Sequence, residues 1–154
     1  MQAFSYLHSI LMPTPSTILV RVRYAETDQM GVVYHANYFV WFEMGRVECL
    51  RQLGFDYKQM EIADDCHLPV VEATCRYRAP ARYDEQLMVE TRITAMRSSV
   101  IKFAYRLLRA KPDDPEAAPQ LLAEAETMHV VVDGTMQKRA LPEKYAAAIR
   151  SQLS

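Results

Sequence analysis

The sequence predicts an α+β domain in which a five-stranded antiparallel sheet wraps around one long buried helix. The chain of 154 residues has the size of a single domain and can bury a sizeable core. Five segments alternate apolar and polar residues with the period of a strand. One long segment, Asn37–Leu53, reads as a helix, and its first half is apolar nearly all round, as expected for a helix inside a core.

The first predicted strand, Thr17–Tyr24, directs Ile18, Val20, Val22 and Tyr24 to one buried side. The other four predicted strands are His67–Tyr77, Gln86–Ala95, Val100–Arg109 and Leu121–Asp133. Long strands of this kind leave sheet edges that need cover, so we expect the chain to form at least a dimer.

The predicted helix has recognisable ends. Asn37 is a suitable N-cap residue, and Gly54 is a suitable stop after the last turn. Two residues within the helix, Glu43 and Arg46, have the spacing of an ion pair on one face. A short helix, Pro142–Leu153, is predicted at the C-terminus.

Residues 1–15 contain two prolines and lack the basic start and cleavage pattern of a signal peptide, so we expect a loose N-terminal extension. Residues 16–154 then form a single domain. No stretch has the length of a transmembrane segment. The three cysteines form neither an even set nor a C-x-x-C pair, which favours free thiols, no metal site and a cytoplasmic location.

The charge of the chain bears on its partners. The formal net charge is −1 and the pI is about 6.4. Nucleic-acid-binding domains usually carry a strong basic excess, so we expect no nucleic-acid partner.

The segment most suited to chemistry lies between the first strand and the long helix. Asp28 is followed by Gly31 and then by the helix N-terminus. Backbone N–H groups in a first helical turn have no internal partner and carry partial positive charge, so they can bind an oxygen that becomes negative. A carboxylate beside such a site is a minimal hydrolase. From the pattern alone, however, helix capping is the commoner role of such an Asp.

The residues of this segment match a known motif. Asp28–Tyr38 fits the pattern D-x-x-G-V-V-Y-H-A-N-Y without departure, and Trp41–Glu43 and Arg51–Gly54 fit as well. Val20–Gly54 therefore resembles the 4-hydroxybenzoyl-CoA thioesterase family, and in particular its short bacterial acyl-CoA thioesterases. The resemblance extends more loosely through Pro80–Asp84 to about residue 141.

This resemblance implies the hot-dog fold, a homodimer with active sites at the dimer interface and, as in many members, a homotetramer. It also implies residue roles. Asp28 corresponds to the catalytic carboxylate, and the backbone N–H of His35 corresponds to the group that polarises the thioester carbonyl. The ring of His35 and the side chain of Tyr24 are implicated in catalysis too. Residues assigned to oxyanion and substrate binding are Gly31, Tyr34, Ala36, Asn37 and Tyr38.

The implied substrate is an acyl-CoA, and coenzyme A is then part of the substrate rather than a cofactor. A thioester is already activated, so Asp28 can either attack the carbonyl or activate water, without a metal. Basic and hydroxyl side chains that could bind the CoA phosphates are Arg78, Arg97, Ser98, Ser99 and Lys102. The acyl group stays open, as do an acyl-carrier-protein thioester, a hydratase or dehydratase reaction, and a non-catalytic acyl-CoA-binding module.

Overall fold

A computed structural model of the chain describes residues 14–153 and confirms the predicted five-stranded antiparallel sheet. The predicted loose extension lies almost entirely outside these residues, so it and the single-domain division stay predictions. The elements in chain order are β1 (Ser16–Arg21), α1 (Asn37–Gln52), α2 (Tyr57–Ile62), β2 (Val70–Tyr77), β3 (Gln86–Arg97), β4 (Val100–Arg109), β5 (Gln120–Val130) and α3 (Glu143–Leu153). The strand order in the sheet is β1-β3-β4-β5-β2.

The long helix α1 packs across one face of the sheet, as predicted. Trp41 and Phe42 are fully enclosed, and Gly45 lies directly against β3. A Cβ atom at Gly45 would lie 2.5 Å from the Thr91 hydroxyl oxygen, so only glycine allows the helix to approach this strand so closely. Among residues 14–153, no helix is both long and apolar enough to cross a membrane.

The first strand is shorter than predicted, and the prediction that Tyr24 lies on its buried face is wrong. Val22 is buried, but Tyr24 begins a short 3-10 turn, Tyr24–Glu26, and is 78% exposed. The cause is local. The carboxylate of Glu26 accepts the backbone N–H of Arg23 at 2.8 Å, so this N–H cannot extend the sheet and the chain turns instead.

The capping role predicted for Asn37 is also wrong. Ala36 occupies the cap position, and Asn37 is the first helical residue. The side-chain amide of Asn37 donates to the carbonyl oxygen of Glu26 at 2.9 Å, which ties the helix to the preceding turn. At the other end Gly54 has a φ of +88° and donates to Arg51, as a stop residue should.

The ion pair predicted between Glu43 and Arg46 does not form, because Arg46 faces the sheet. Arg46 is buried and donates to the hydroxyl of Tyr105 at 3.2 Å, while Glu43 is exposed. The Tyr105 hydroxyl lies 2.7 Å from the Thr127 hydroxyl, which lies 2.8 Å from Nε2 of His129. Nδ1 of His129 donates to the carbonyl oxygen of a residue before β2, Leu68. A chain of hydrogen bonds thus crosses the core.

One buried carboxylate fixes the connection between β1 and α1. Glu26 accepts the backbone N–H of Arg23 and the indole N–H of Trp41 at 3.1 Å, and it pairs with the Arg23 guanidinium. Its backbone carbonyl accepts the N–H of Tyr34 at 2.9 Å and the side chain of Asn37. Burial alone would raise the pKa of Glu26, but the hydrogen bonds from Arg23 and Trp41 outweigh it and lower the pKa.

Replacing Glu26 by Gln should lower the free energy of unfolding by about 1.5–3 kcal/mol, because a charged acceptor of several hydrogen bonds is lost. The stabilisation is complete above the ordinary pKa of 4.5 and disappears as the pH falls through the lower folded pKa. Urea unfolding at pH 7 measures the effect. The control is Glu48→Gln, which removes a more exposed ion pair with Arg51 and should cost less than about 1 kcal/mol. Equal losses in the two variants would contradict the role of Glu26.

Burial lowers the pKa of His129 from 6.5 to about 4, and the nearby charge of Arg46 acts in the same direction. Between pH 6.5 and about 4, the imidazole of His129 therefore binds a proton in the unfolded chain but not in the folded state. Stability should be complete above pH 6.5 and should fall towards pH 4, by at most about 1.4 kcal/mol per pH unit. Urea unfolding between pH 7 and 4.5 should show a flatter profile for His129→Gln than for the wild type. Parallel profiles would contradict this account.

Candidate functional site

A tight turn places Asp28 ahead of the long helix. The N–H of Asp28 donates to the carbonyl of Val32 at 2.8 Å, and the N–H of Gly31 donates back to Asp28 at 3.0 Å. Gly31 has a φ of +78°, a backbone conformation that favours glycine. This glycine therefore shapes the turn.

The side chain of Asp28 supports this turn and does not cap the helix. Its Oδ1 atom accepts the N–H of Met30 at 2.8 Å, two residues further along the chain. Within residues 14–153, Oδ2 has no hydrogen-bond donor. Asp28 is half-buried, so one carboxylate oxygen is held in place while the other is available to a ligand.

The helix N-terminus beside this turn carries free backbone donors. The N–H groups of Tyr34 and Asn37 are used, by the carbonyls of Glu26 and Tyr34. In contrast, the N–H groups of His35 and Ala36 have no acceptor in the described part of the chain, and both residues are exposed. Two free N–H groups at the positive end of a helix dipole can bind an anionic oxygen.

Asp28 and His35 line one open groove of about 320 Å³. Apolar side chains and the backbone before β3 form most of its walls, and Tyr77 and Arg78 close one side. The other lining residues are Met30, Val32, Val33, Tyr38, Ala79 and Pro80. The groove thus combines one carboxylate, one imidazole and one guanidinium with an apolar lining.

Aromatic rings surround the imidazole of His35. The ring of Tyr34 lies 4.5 Å from it, and the ring of Tyr77 lies 6.4 Å from it at an interplanar angle of 88°. Tyr38 is buried beneath them, and its hydroxyl accepts the N–H of Ala81 at 3.2 Å. Burial raises the pKa of Tyr38, so this hydroxyl stays protonated and has a structural partner.

Tyr24 does not line this groove within a single chain. Its ring packs edge-on against that of Tyr83 at 5.8 Å, and both rings are exposed. The structure therefore does not bring Tyr24 together with Asp28 and His35 in the groove of one chain.

Of the residues predicted to bind CoA, only Arg78 lines the groove, where it pairs with Glu124 at 3.0 Å. The others lie at the turn between β3 and β4, away from this groove in one chain: Arg97, Ser98, Ser99 and Lys102. Ser99 is buried, and its carbonyl accepts the N–H of Val131 at 2.8 Å.

Two residues that organise the site were missed from the sequence. Glu26 fixes the connection to the helix, and Tyr77 contributes a groove wall and donates to the carbonyl of His35 at 2.9 Å. Tyr77 was expected only as a member of one strand face. Its position at the end of that strand, across from the long helix, follows from the sheet order and has no local sequence signal.

The chain matches known proteins over most of its length. The model of the thioesterase-like superfamily matches residues 22–149. The acyl-CoA thioester hydrolase YbgC of Escherichia coli O157:H7 is 39% identical over 132 residues, which cover 85% of this chain and 92% of that protein.

Solved structures agree with this fold. A hypothetical protein of Thermus thermophilus has a TM-score of 0.79 at 39% identity, covering 89% of this chain and 98% of its own. The 4-hydroxybenzoyl-CoA thioesterase of Pseudomonas sp. strain CBS-3 has a TM-score of 0.77 at 21% identity, covering 88% and 99%, and it supports the fold alone. The chain therefore belongs to the thioesterase-like superfamily and has the hot-dog fold.

Proposed function

We propose that this protein is an acyl-CoA thioesterase that hydrolyses a thioester in the groove between Asp28 and His35. One observation carries the proposal: Asp28 and His35 line the same groove. Within residues 14–153, one oxygen of the Asp28 carboxylate and the N–H groups of His35 and its neighbour Ala36 have no hydrogen-bond partner. The similarity to the Escherichia coli acyl-CoA thioester hydrolase supports the choice of reaction and of substrate class.

The chemistry follows from these groups. The N–H of His35, with that of Ala36 beside it, binds the carbonyl oxygen as it becomes negative. Asp28 either attacks the thioester carbon to give a mixed anhydride that water then cleaves, or removes a proton from the water that attacks directly. In both routes the C–S bond breaks, and CoA leaves as a thiolate that takes up a proton. A thioester is activated already, so the proposal requires no cofactor.

The remaining predicted residues have supporting roles in this proposal. Gly31 shapes the turn, Tyr34 packs on the His35 ring, and Asn37 ties the helix to Glu26. Arg78 is the candidate phosphate contact at the groove. The roles proposed for Tyr24 and for the turn residues depend on a second chain in the dimer, because none of them lines the groove of its own chain: Arg97, Ser98, Ser99 and Lys102.

We propose that the dimer forms through β2, which is an edge strand of the sheet. Among the described strands, β2 pairs with β5 alone, and three of its apolar residues are about half exposed: Val70, Val71 and Tyr77. A long edge strand with exposed apolar residues is a ready template for pairing with a second copy. A tetramer would in addition cover an apolar surface on α1 and β1 that includes Leu19, Val40 and Met44.

We propose a cytoplasmic location because the three cysteines suit a reducing compartment. Cys49 and Cys66 are buried, Cys75 is half-buried, and burial raises the pKa of each thiol. Thiols of this kind are packing groups rather than disulfide partners. Fractionation of the source cells tests this, and recovery outside the cytoplasmic fraction would contradict it.

Replacing Asp28 by Asn should lower kcat for acyl-CoA hydrolysis by at least about 100-fold, the usual contribution of a catalytic base. The asparagine oxygen can still accept the N–H of Met30, so the turn should persist. Release of free thiol from a panel of acyl-CoAs measures the rate, and unfolding in urea checks the fold.

The matched control is Asp133→Asn, which removes a carboxylate that supports a comparable turn by accepting the N–H of Thr135. Asp133 lies outside the groove, so this variant should keep the wild-type kcat. Hydrolysis by Asp28→Asn at the wild-type rate would contradict the assignment of Asp28. Absence of hydrolysis by the wild type on every thioester would favour a binding module, and hydration of an unsaturated acyl-CoA would favour a hydratase.

The wild-type protein should have a solution mass of four chains of 17.7 kDa in sedimentation velocity. Met44→Asp should leave a dimer, because it places a charge in the apolar surface on α1. Ala73→Asp, near the middle of β2, should remove the β2 pairing, since like charges would face each other across the two-fold axis. A monomeric wild type would contradict the proposed assembly, and so would two variants that both keep the wild-type mass.

A further inference from the structure

Tyr77, the last residue of β2, contacts the helix N-terminus through both its hydroxyl and its ring. The hydroxyl donates to the carbonyl oxygen of His35 at 2.9 Å, across 42 positions of the chain. The ring packs edge-on against the imidazole of His35 and, at 4.9 Å, against the ring of Tyr38. Tyr77 therefore links an edge strand of the sheet to His35, whose backbone N–H is one of the two free donors at the helix N-terminus.

The hydroxyl of Tyr77 replaces the donor that the carbonyl of His35 would have in a regular helix. In a regular helix that carbonyl would accept the N–H of Phe39, four residues later. Here the N–H of Phe39 donates to Ala36 instead, at 3.2 Å. Among residues 14–153, Tyr77 is thus the one hydrogen-bond donor to the carbonyl of His35.

The two peptide groups that flank His35 are held by different partners. The carbonyl of Tyr34 accepts the N–H of Asn37, which fixes the peptide plane that contains the N–H of His35. The carbonyl of His35 accepts the hydroxyl of Tyr77, which fixes the peptide plane that contains the N–H of Ala36. A trans peptide is planar, so fixing a carbonyl also fixes the direction of the N–H beyond it.

The hydroxyl of Tyr77 is a constant donor. Desolvation raises the pKa of this hydroxyl well above the usual range, and the neighbouring Cys75 acts in the same direction. The phenol therefore stays protonated at neutral pH. The ring is held as well, because Tyr38 beneath it is fixed by Ala81.

We infer that Tyr77 is a positioning residue that orients the N–H group of Ala36, beside that of His35, toward the developing oxyanion. The inference rests on the function proposed above. Tyr77 acts through the backbone of His35, so its loss should weaken binding of the transition state more than binding of the ground state. This distinguishes it from a residue that merely lines the groove.

The test replaces Tyr77 by Phe, which keeps the ring and removes only the hydroxyl. We expect kcat for acyl-CoA hydrolysis to fall about tenfold, less than the 10²–10³ typical when an oxyanion donor itself is removed. KM should change less than about twofold. An S-alkyl-CoA thioether, which lacks the carbonyl, should bind both proteins with dissociation constants within about twofold, since it has no oxyanion to lose.

The matched control is Tyr145→Phe, which removes a hydroxyl bonded to Asp64, away from the groove. It should keep the wild-type kcat. Tyr77→Leu should be slower than Tyr77→Phe, because the ring contact with His35 is lost as well. A wild-type kcat for Tyr77→Phe would overturn the inference, and so would a loss confined to KM or to thioether binding. Either of these results, obtained while Asp28→Asn is inactive in the same assay, would overturn the role of Tyr77 alone. The proposed function would then still stand.

Discussion

The buried carboxylate of Glu26 is the interaction on which the site depends. Its side chain binds the backbone of Arg23 and the indole of Trp41, and its carbonyl binds Tyr34 and Asn37. One residue thus joins the end of the first strand, the turn that bears Asp28 and the first residues of α1. A buried charge is tolerated only when it is paired and hydrogen-bonded, and Glu26 meets both conditions.

Some polar groups of the site have hydrogen-bond partners within the chain, and others do not. Glu26, Asn37 and Tyr77 form hydrogen bonds with the backbone around the turn. In the part of the chain that the structure describes, the N–H groups of His35 and Ala36 and one oxygen of Asp28 have no hydrogen-bond partner. Unsatisfied polar groups destabilise the folded state unless solvent or a ligand satisfies them, and they are typically retained where a ligand uses them. Rigid support around free donors is the arrangement that electrostatic catalysis requires.

The strands β3 and β4 could be predicted from the sequence because their apolar residues alternate with polar ones. The helix α1 could be predicted because a segment that is apolar nearly all round lies before a suitable stop residue, Gly54. The burial and the contacts of single residues such as Arg46 and Tyr24 could not be predicted in the same way. Arg46 has the spacing of a surface ion pair with Glu43, but its face of α1 meets the sheet. Tyr24 continues the alternation of β1, yet a hydrogen bond between Arg23 and Glu26 ends the strand first.

The candidate site shows the same limit. Asp28 and His35 could be chosen from the motif because the chemistry needs a carboxylate and a helix N-terminus close in sequence. Tyr77 lies 42 residues from His35, and only the order of strands brings the two together. Tyr24 is close to Asp28 in sequence, but its ring packs on that of Tyr83 outside the groove, so closeness in sequence did not bring it into the site.

The most direct measurement of the central claim is a crystal structure of Asp28→Asn with an uncleaved acyl-CoA bound. The account predicts that the thioester carbonyl oxygen lies about 3 Å from the backbone nitrogen of His35 or Ala36. It also predicts that the side chain at position 28 faces the carbonyl carbon, directly or through one water. A thioester bound elsewhere, with its carbonyl oxygen in solvent and both N–H groups unused, would contradict the account.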